Sequence, residues 1–396
     1  MKVLFLAHSC PYPPNKGDRI RNFHILKHFS SRYAVTLIYP SYSKQDVENL
    51  EPLRQHCWAV KTVQLSPLLA KLRCCLSVFG KQPFTNSYYY SGRLKRLIAD
   101  EEFDMVMVDC SSMAPYVLDV KKPKIIDFVD VDSDKWRLYA KMAPCPKSLV
   151  YNLEFRKLQV FEAELVRRFD ASLVVSEKEK TLLPDSDRLV VVPNGVDLEF
   201  FTPRQNKAKD TLIFTGAMNY FPNIDGVSYF HREIWPVIKR EVPSVKFIIG
   251  GMDPHPSIKR LEGDGTVVTG YVPDMRDYLG RASVCVVPLR IGKGIQNKIL
   301  EAMAMEIPVV ATSASNNGVD ATDGKEILIA DNPQTFARSV MKLLSDAQLR
   351  ESLAANARSF VEKHYSWNQN LQKVDEAVAL ATGQWKMASS GAGSAK

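Results

Sequence analysis

The chain has 396 residues, 45% of them hydrophobic, which is enough for two domains with full cores. It contains no run of about 18 apolar residues, so an ordinary transmembrane helix is excluded, and the start MKVLFLAHSC is too short for a signal peptide. The net charge of +8 fits an anionic partner and fits an ordinary basic surface equally well.

Short apolar runs alternate with longer helix-like stretches through the first half of the chain. The runs are KVLFLAH, AVTLIYP, FDMVMVD, PKIIDFVD, ASLVVSE and RLVVVPNGVD. Continuous β-branched runs predict strands buried on both faces, and their alternation with helices predicts a parallel sheet. The loop after the first strand leads into a helix opened by Gly17 and Asp18. His8 is the one histidine expected to face a cleft.

Residues 65–84 combine leucines at helical spacing with three basic residues, Lys71, Arg73 and Lys81. A basic amphipathic helix of this kind can lie in a membrane interface. The more ordinary arrangement turns the leucines toward the core and the basic side toward water, and we favour that arrangement. Contact with the inner face of a membrane is the alternative.

Carboxylates alternate just after the strand PKII, in DFVDVDSD. Asp130 and Asp132 are the candidates there for a catalytic role, orienting a sugar hydroxyl or acting as a base. A divalent cation is a further use of such residues, although a second acidic cluster is lacking. A polar strand exit that caps the next helix is equally consistent with the pattern.

The strand pattern restarts after a polar, basic stretch at residues 202–210. The new runs are TLIFTGAM, VKFIIGG, TVVTGYV, ASVCVVPL, IPVVAT and EILIA. We therefore expect a first Rossmann-like domain over residues 1–201 and a second over 202–365. A helix at 366–385 is expected to cross back to the first domain, and the small-residue tail at 386–396 is predicted to be disordered.

The segment LRIGKGIQNKILEAMAMEIPVVAT, residues 289–312, predicts a strand exit, a glycine-containing loop and a helix. Arg290, Lys293 and Lys298 surround the start of that helix, where unpaired amides favour an anion. Arg290 and Lys298 would neutralise a diphosphate, and Glu301, one turn further on, would accept hydrogen bonds from ribose hydroxyls. The alternative is a solvated helix start with a surface pair between Lys298 and Glu301.

Other site classes find little support in the sequence. The seven cysteines form no CxxC pair and have no histidine partner at zinc spacing, which predicts reduced thiols in a cytoplasmic protein and no metal site. P-loop and dinucleotide-binding fingerprints are missing, as are hydrolase signatures. Basic stripes with interleaved aromatic residues are also missing, so nucleic acid is not an expected partner.

Three segments together resemble family 4 glycosyltransferases of the GT-B fold: VVPNGVDLEFFTP, LIFTGAMNYFPNIDGVSYF and PLRIGKGIQNKILEAMAMEIPVVAT. With DFVDVDSDKW, they are most similar to the sugar transferases of bacterial PEP-CTERM/exosortase exopolysaccharide systems. The resemblance covers residues 1 to about 380 and is more specific in the second half.

The resemblance implies two Rossmann-like parallel-sheet domains that face each other across a cleft. It implies a retaining, metal-independent hexosyltransferase-type enzyme without a cofactor, acting on a nucleoside-diphosphate sugar and a glycan or lipid-linked acceptor. The enzyme would be cytoplasmic or peripheral on the inner face of the membrane. The implied acceptor-side residues are Gly17, Asp18 and Arg19. The implied donor-binding residues are Gly216, Gly270, Val272, Lys293, Gly294, Ile295, Gln296, Asn297 and Glu301.

Some positions depart from the family pattern. Lys293 stands where relatives often carry a glutamate, and Ala217 and Asp225 stand where many carry Arg and Lys. The phosphate-binding cations are therefore expected at Arg290 and Lys298. A sugar-nucleotide epimerase and a non-catalytic scaffold of a polysaccharide assembly complex are the alternative functions.

Overall fold

The computed structural model describes residues 1–42, 50–204 and 208–383. These residues divide into two compact units. The first comprises residues 1–193 together with the chain from Leu371 onward, and the second comprises Asn194–Asn370. The sequence analysis placed its boundary at 201–202 instead. The tail predicted at 386–396 lies outside the described residues.

The first unit is built on a parallel sheet of seven strands in the order β3-β2-β1-β4-β5-β6-β7 within the described residues. The strands are β1 Lys2–Leu6, β2 Ala34–Ser41, β3 Ala59–Gln64, β4 Met105–Asp109, β5 Lys124–Asp127, β6 Ala171–Val174 and β7 Leu189–Val191. The helices are α1 Gly17–Ser30, α2 Leu50–Arg54, α3 Pro67–Leu76, α4 Phe84–Tyr89, α5 Gly92–Ala99, α6 Asp132–Met142, α7 Lys147–Arg168 and α8 Glu177–Lys180. Short 3-10 turns lie at Ser77–Phe79 and Ser111–Tyr116.

The second unit carries a parallel sheet of six strands, in the order β10-β9-β8-β11-β12-β13, across its described part. The strands are β8 Thr211–Thr215, β9 Lys246–Gly250, β10 Thr266–Gly270, β11 Val284–Val287, β12 Val309–Ala311 and β13 Leu328–Ile329. The helices are α9 Phe221–Tyr229, α10 Trp235–Glu241, α11 Pro256–Lys259, α12 Arg276–Leu279, α13 Asn297–Ala304, α14 Ser313–Asn316, α15 Pro333–Ser345, α16 Ala347–His364 and α17 Trp367–Asn370. A π-helical turn, Phe230–Ile234, joins α9 to α10.

The last described helix, α18 at Gln372–Thr382, packs against β5, β6 and β7 of the first unit. Asp375 on this helix accepts a hydrogen bond from His28 at 2.9 Å and pairs with Arg32, both from the α1 region. Buried Val374, Ala377 and Val378 face the sheet.

The central strands are buried on both faces, as their continuous apolar runs predict. Every residue of β4, β6, β8 and β11 is buried. The predicted helix start at Gly17 is also confirmed. Among the described residues, no helix is both long enough and apolar enough to span a membrane.

The orientation expected for residues 65–84 is wrong. In α3 the leucines point away from the protein: Leu68 is 77% exposed, Leu72 57% and Leu76 71%. Ala70 is the buried residue of this helix. The inner face is held by polar contacts instead, since Arg73 Nε donates to the Ser87 carbonyl at 3.1 Å and Cys74 Sγ to the Phe84 carbonyl at 3.3 Å.

Candidate functional site

The glycine-containing loop lies at the carboxyl edge of the second sheet, between the end of β11 at Val287 and the start of α13 at Asn297. A Cβ atom at Gly292 would lie 1.8 Å from the Ala314 carbonyl oxygen. Packing against the protein's own backbone therefore explains the glycine at position 292. Gly294 has φ of 57°, a conformation that favours glycine.

Lys298 lies on the first turn of α13 and is only 9% exposed, so the solvated helix start considered above is not what the fold provides. Its Nζ donates to Asn223 Oδ1 at 2.7 Å and lies 4.5 Å from the centre of the Phe214 ring. A Cβ atom at Gly216 would come within 3.3 Å of this Nζ. Glycine at position 216 thus keeps space beside a buried cation.

Burial changes the acid–base properties of Lys298 and of Glu301, one turn below it. Loss of solvation lowers the pKa of Lys298 to about 8, against the opposing effects of Cys285 and Glu301. The same cause raises the pKa of Glu301 to about 7, against the opposing charge of Lys298. The Glu301 carboxyl forms no hydrogen bond or ion pair with any residue that the structure describes. Both groups therefore sit where a polar ligand would relieve a desolvation penalty.

Two further polar groups at this edge have no hydrogen-bond partner among the described residues: Asn297 Nδ2 and Thr215 Oγ1, both buried. The Oδ1 atom of Asn297 accepts from Asn194 Nδ2 at 3.1 Å, which fixes the side-chain orientation. Buried polar groups are almost always satisfied in native proteins. Their lack of protein partners marks the ends of β8 and α13 as a place for a hydrogen-bonding ligand.

Arg290 is placed differently from what the sequence analysis expected. It forms a two-pronged ion pair with Asp225 on α9, with Nε donating to Oδ2 at 2.9 Å and Nη2 to Oδ1. Its guanidinium also lies 5.2 Å from the centre of the Tyr229 ring. The guanidinium nitrogens of Arg290, which the sequence predicts to bind a diphosphate, thus bind the Asp225 carboxylate in this structure. A role of Arg290 in anion binding stays a prediction.

The remaining predicted donor residues occupy the same edge of the sheet. Gln296 Nε2 donates to the Lys293 carbonyl at 2.9 Å, closing the loop before α13, and Ile295 is buried. Gly270 ends β10 with φ of 64°, and a Cβ atom there would meet open space. Val272 follows it and is half-buried.

At the carboxyl edge of the first sheet, His8 from the end of β1 meets Asp109 from the end of β4. His8 Nδ1 lies 2.5 Å from Asp109 Oδ2, and His8 Nε2 lies 3.5 Å from Asp18 Oδ2 on α1. Asn22 Nδ2 donates to Asp109 Oδ2 at 2.7 Å. The structure thus joins the predicted Asp18 to a histidine and a carboxylate that lie on other elements.

Opposing effects act on this histidine. Burial lowers the pKa of His8, whereas the charges of Cys110 and Asp109 and hydrogen bonds to Asp109 and Asp18 raise it well above its ordinary value. Burial would raise the pKa of Asp18, but the hydrogen bond and charge of His8 hold it at about 2. His8 therefore lies between the carboxyl groups of Asp109 and Asp18, and its contacts with them favour its protonated form.

The chain is strained where it leaves the two strands beside this site. Cys110 directly follows β4 with φ of 68°, and Val129 lies two residues after the end of β5 with φ of 60°. Such values are unusual for any residue other than glycine and cost about 1–3 kcal/mol each. The strain is compensated locally, since Cys110 N donates to the Asp127 carbonyl at 2.8 Å and Val129 N to Asp127 Oδ1 at 3.0 Å.

Hydrogen bonds and an ion pair hold the other predicted acceptor-side residues. Asp132 pairs with Lys135 and accepts from Ser111 Oγ at 3.3 Å. Asp130 is half-buried beside it. Gly17 begins α1, and Arg19 Nη1 donates to the Tyr12 carbonyl at 3.4 Å. Catalytic roles for the two aspartates stay predictions.

An aromatic cluster beside His8 was not anticipated from the sequence. Tyr89 lies edge-on to His8 with ring centres 6.0 Å apart, and Tyr42 stacks on Tyr88 at 5.6 Å. The Tyr42 hydroxyl is buried without a partner in the described part of the chain. The run of three tyrosines at 88–90 was the available signal. Aromatic faces with unsatisfied hydroxyls suit a sugar.

Among the described residues, His8, Asp109 and Cys110 form the one group with three potential metal ligands close together. Asp109 Oδ2 already interacts with His8 and Asn22. Burial, reinforced by Asp109, raises the pKa of the Cys110 thiol. This chemistry favours a hydrogen-bonded cluster over a thiolate site.

Two parallel-sheet α/β units, each with a polar site at the carboxyl edge, define the GT-B fold class, and the predicted fold is confirmed by solved structures. Anabaena HepE in complex with UDP matches with a TM-score of 0.70 and 16% identity, covering 96% of this chain and all (100%) of that one. Sucrose-phosphate synthase from Thermosynechococcus elongatus matches with a TM-score of 0.69 and 16% identity, over 99% of this chain and 100% of that one.

Sequence comparisons connect the chain to glycosyltransferases. Residues 209–346 match the family described as "Glycosyl transferases group 1". An uncharacterized 44.6 kDa protein in the cps region of Klebsiella pneumoniae is 22% identical over 92% of this chain and 96% of its own. The Escherichia coli UDP-Gal:alpha-D-GlcNAc-diphosphoundecaprenol alpha-1,3-galactosyltransferase is 23% identical over 65% of this chain and 76% of its own. The capsular polysaccharide biosynthesis glycosyltransferase CapM of Staphylococcus aureus is 26% identical over 44% and 49%.

Proposed function

We propose that this protein is a glycosyltransferase that moves a sugar from a nucleoside-diphosphate sugar to a glycan or lipid-linked acceptor in capsular or exopolysaccharide synthesis. The observation that carries this proposal is the carboxyl edge of the second sheet. A buried lysine occurs there, inside the stretch that matches the glycosyltransferase family, together with a half-buried carboxyl and two buried polar groups that have no hydrogen-bond partner among the described residues.

On the donor side, Lys298 and the amides of residues 294–296 bind the diphosphate, and Glu301 binds the ribose. Charge placed beside the departing diphosphate lowers the barrier for breaking the glycosidic bond. Burial strengthens this interaction, because a charge in a region of low dielectric constant is felt more strongly than one in water. Arg290 contributes once its two-pronged pair with Asp225 is exchanged for a phosphate.

On the acceptor side, the His8 cluster and the tyrosines beside it orient the acceptor. Asp18 is ionised and lies at the exposed end of the cluster, with 41% of its side chain accessible, so it can accept a hydrogen bond from a sugar hydroxyl. The resemblance to family 4 leads us to propose transfer with retention of configuration and without a metal. Anomeric proton NMR of the product and an assay in excess EDTA test these two points.

The direct test is release of nucleoside diphosphate from a panel of nucleotide-sugars, with and without an extract of lipid-linked and free glycans. Acceptor-dependent release is expected from one or a few donors. Conversion of a nucleotide-sugar in the absence of acceptor would identify an epimerase instead, and no release with any combination would count against catalysis.

Arg290→Ala should lower turnover by about a hundredfold, the scale of removing one charge-stabilising group. Arg232→Ala is the matched control, because Arg232 is also on the second unit and pairs with the exposed Glu233. Normal turnover in Arg290→Ala would remove Arg290 from the donor site and leave it as the partner of Asp225.

We further propose that α3 lies in a membrane surface. Its leucines are exposed on one side of the helix, and leaving water is worth about 1.5–3 kcal/mol for each fully transferred side chain. Co-sedimentation with neutral phosphatidylcholine vesicles should be weakened by Leu68→Ser combined with Leu72→Ser. Equal sedimentation of the variant and the parent would contradict this contact.

A further inference from the structure

We propose that the cavity between α3 and α5 binds the phosphate of an anionic phospholipid. The proposal rests on the membrane contact proposed above and adds a specific ligand to it. The cavity has a volume of about 770 Å³ and is lined by Arg73, Arg93, Lys95 and Arg96, together with residues that follow β3. That volume is in the range of ligand pockets.

The charged residues that line the cavity are all basic. Residues 52–99 contain eight lysines and arginines and no aspartate or glutamate. The formal charge of this segment, with histidine neutral, therefore equals the net charge of +8 for the whole chain. The four basic residues that line the cavity form no ion pair with any described residue. Arg93, Lys95 and Arg96 are exposed, so their charges are available to an anion.

The walls of the cavity are held in place before any ligand arrives. Leu94 and Ile98 anchor α5 in the core, with exposures of 0% and 3%. The Tyr116 hydroxyl accepts from Ser91 N at 2.6 Å and donates to the Tyr89 carbonyl at 2.7 Å, which fixes the start of α5. Because the helix does not have to be ordered on binding, its charges can act on a ligand at little entropic cost.

The apolar face of α3 and the basic cavity share a residue. Leu69 lines the cavity and is 56% exposed, beside the outward-facing Leu68 and Leu72. A phospholipid has the same two-part chemistry, with an anionic phosphate and adjoining apolar chains. Nucleic acid or a free anion would use the arginines and leave the leucines in water. The juxtaposition therefore favours a lipid.

The test is co-sedimentation of the full chain with vesicles of phosphatidylcholine alone or mixed with phosphatidylglycerol. Arg93→Gln combined with Arg96→Gln removes two charges from the cavity. Lys121→Gln combined with Lys122→Gln removes two exposed charges that precede β5 and do not line the cavity. An interaction worth about fivefold in partitioning for each cation predicts about a 25-fold loss for the cavity variant on mixed vesicles. The control variant should stay within about twofold of the parent.

Neutral vesicles separate this site from the membrane contact of α3. The cavity variant should bind them as the parent does, whereas Leu68→Ser with Leu72→Ser should bind both kinds of vesicle less. Equal losses for the cavity and control variants would show diffuse surface attraction and overturn the proposal. Arginine-dependent binding of inorganic phosphate or duplex DNA without a preference for anionic vesicles would overturn it as well. None of these results depends on sugar transfer, so the glycosyltransferase proposal is tested separately.

Discussion

Replacing Lys298 by methionine separates binding from stability, because the buried charge is unfavourable for folding. A pKa of about 8 instead of the ordinary 10.5 corresponds to about 3 kcal/mol against the charged form. Removing the charge therefore stabilises the folded state by that amount, and losing the 2.7 Å hydrogen bond to Asn223 offsets about 1.5–3 kcal/mol of the stabilisation. Lys298→Met is therefore expected to be as stable as the parent at pH 7, or up to about 1.5 kcal/mol more stable.

The free energy of unfolding of the parent should depend on pH in a direction that the pKa of Lys298 determines. A lysine with a depressed pKa in the folded state binds fewer protons there than in the unfolded chain. Its contribution to stability is complete above the unfolded pKa and is lost as the pH falls through about 8. The free energy of unfolding of the parent should thus rise relative to that of Lys298→Met between about pH 8 and 10.5.

Denaturant unfolding, with and without the nucleoside diphosphate of the preferred donor, is the assay. This nucleoside diphosphate at 100 times its dissociation constant should stabilise the parent by about 2.7 kcal/mol, whereas Lys298→Met should lose most of that effect. Lys259→Met is the matched control, since Lys259 is exposed on α11 in the same unit and should keep it. A variant more than about 2 kcal/mol less stable than the parent, or one with an unchanged response to the nucleoside diphosphate, would refute the reasoning.

Three further predictions concern the pH dependence of binding at Lys298, the His8 cluster, and leucines of α3 and α13. Affinity for the nucleoside diphosphate should fall as the pH rises through about 8, because Lys298 loses the proton that attracts the diphosphate, and isothermal titration across pH measures this. Asp109→Asn should cost about 1–3 kcal/mol in chemical denaturation, since its buried carboxylate accepts from His8 and Asn22, and NMR titration should show a lower pKa for His8. Leu72→Ala should change stability by less than about 0.5 kcal/mol, whereas the fully buried Leu300→Ala should cost about 2–5 kcal/mol, and thermal or denaturant unfolding compares the two.

Much of the fold could be read from local sequence, because buried parallel strands require unbroken apolar runs. The strand β3, with the sequence AVKTVQ, escaped prediction. It lies at the edge of the first sheet, where Lys61 and Gln64 are tolerated because one side of the strand meets solvent. An unbroken apolar run therefore identifies the central strands but does not identify a strand at the edge of the sheet.

The orientation of α3 shows a second limit. Helical spacing establishes that the leucines share a face, but the same spacing serves a helix that faces the core and one that faces a membrane. The neighbours decide between the two. The first-unit core is completed by residues such as Leu94, Ile98 and Met113. Ala70 is the buried residue of α3, and Arg73 and Cys74 make polar contacts on its inner side, so the leucines face outward.

Charge pairs between residues far apart in the sequence could not be predicted from the sequence either. Arg290 and Asp225 are 65 residues apart, and His8 and Asp109 are 101 residues apart. Spacing along the chain can suggest that cations surround a helix start, but it does not show which of them is already neutralised. In the folded protein Arg290 has a carboxylate partner, while Lys298 has only a neutral amide.

This difference makes Lys298, rather than Arg290, the better evidence for an anion bound at the start of α13. A cation beside a helix N-terminus is opposed by the helix dipole, and burial adds a desolvation cost. Arg290 avoids both costs by pairing with Asp225 and staying 44% exposed, whereas Lys298 bears them. Glu301 cannot relieve that cost fully, because its own burial raises its pKa to about 7 and leaves it only partly ionised at neutral pH. A diphosphate would supply the missing negative charge, and a ribose would supply donors for Glu301. The unfavourable electrostatics at Lys298, rather than the number of cations, is therefore the stronger argument for an anionic donor.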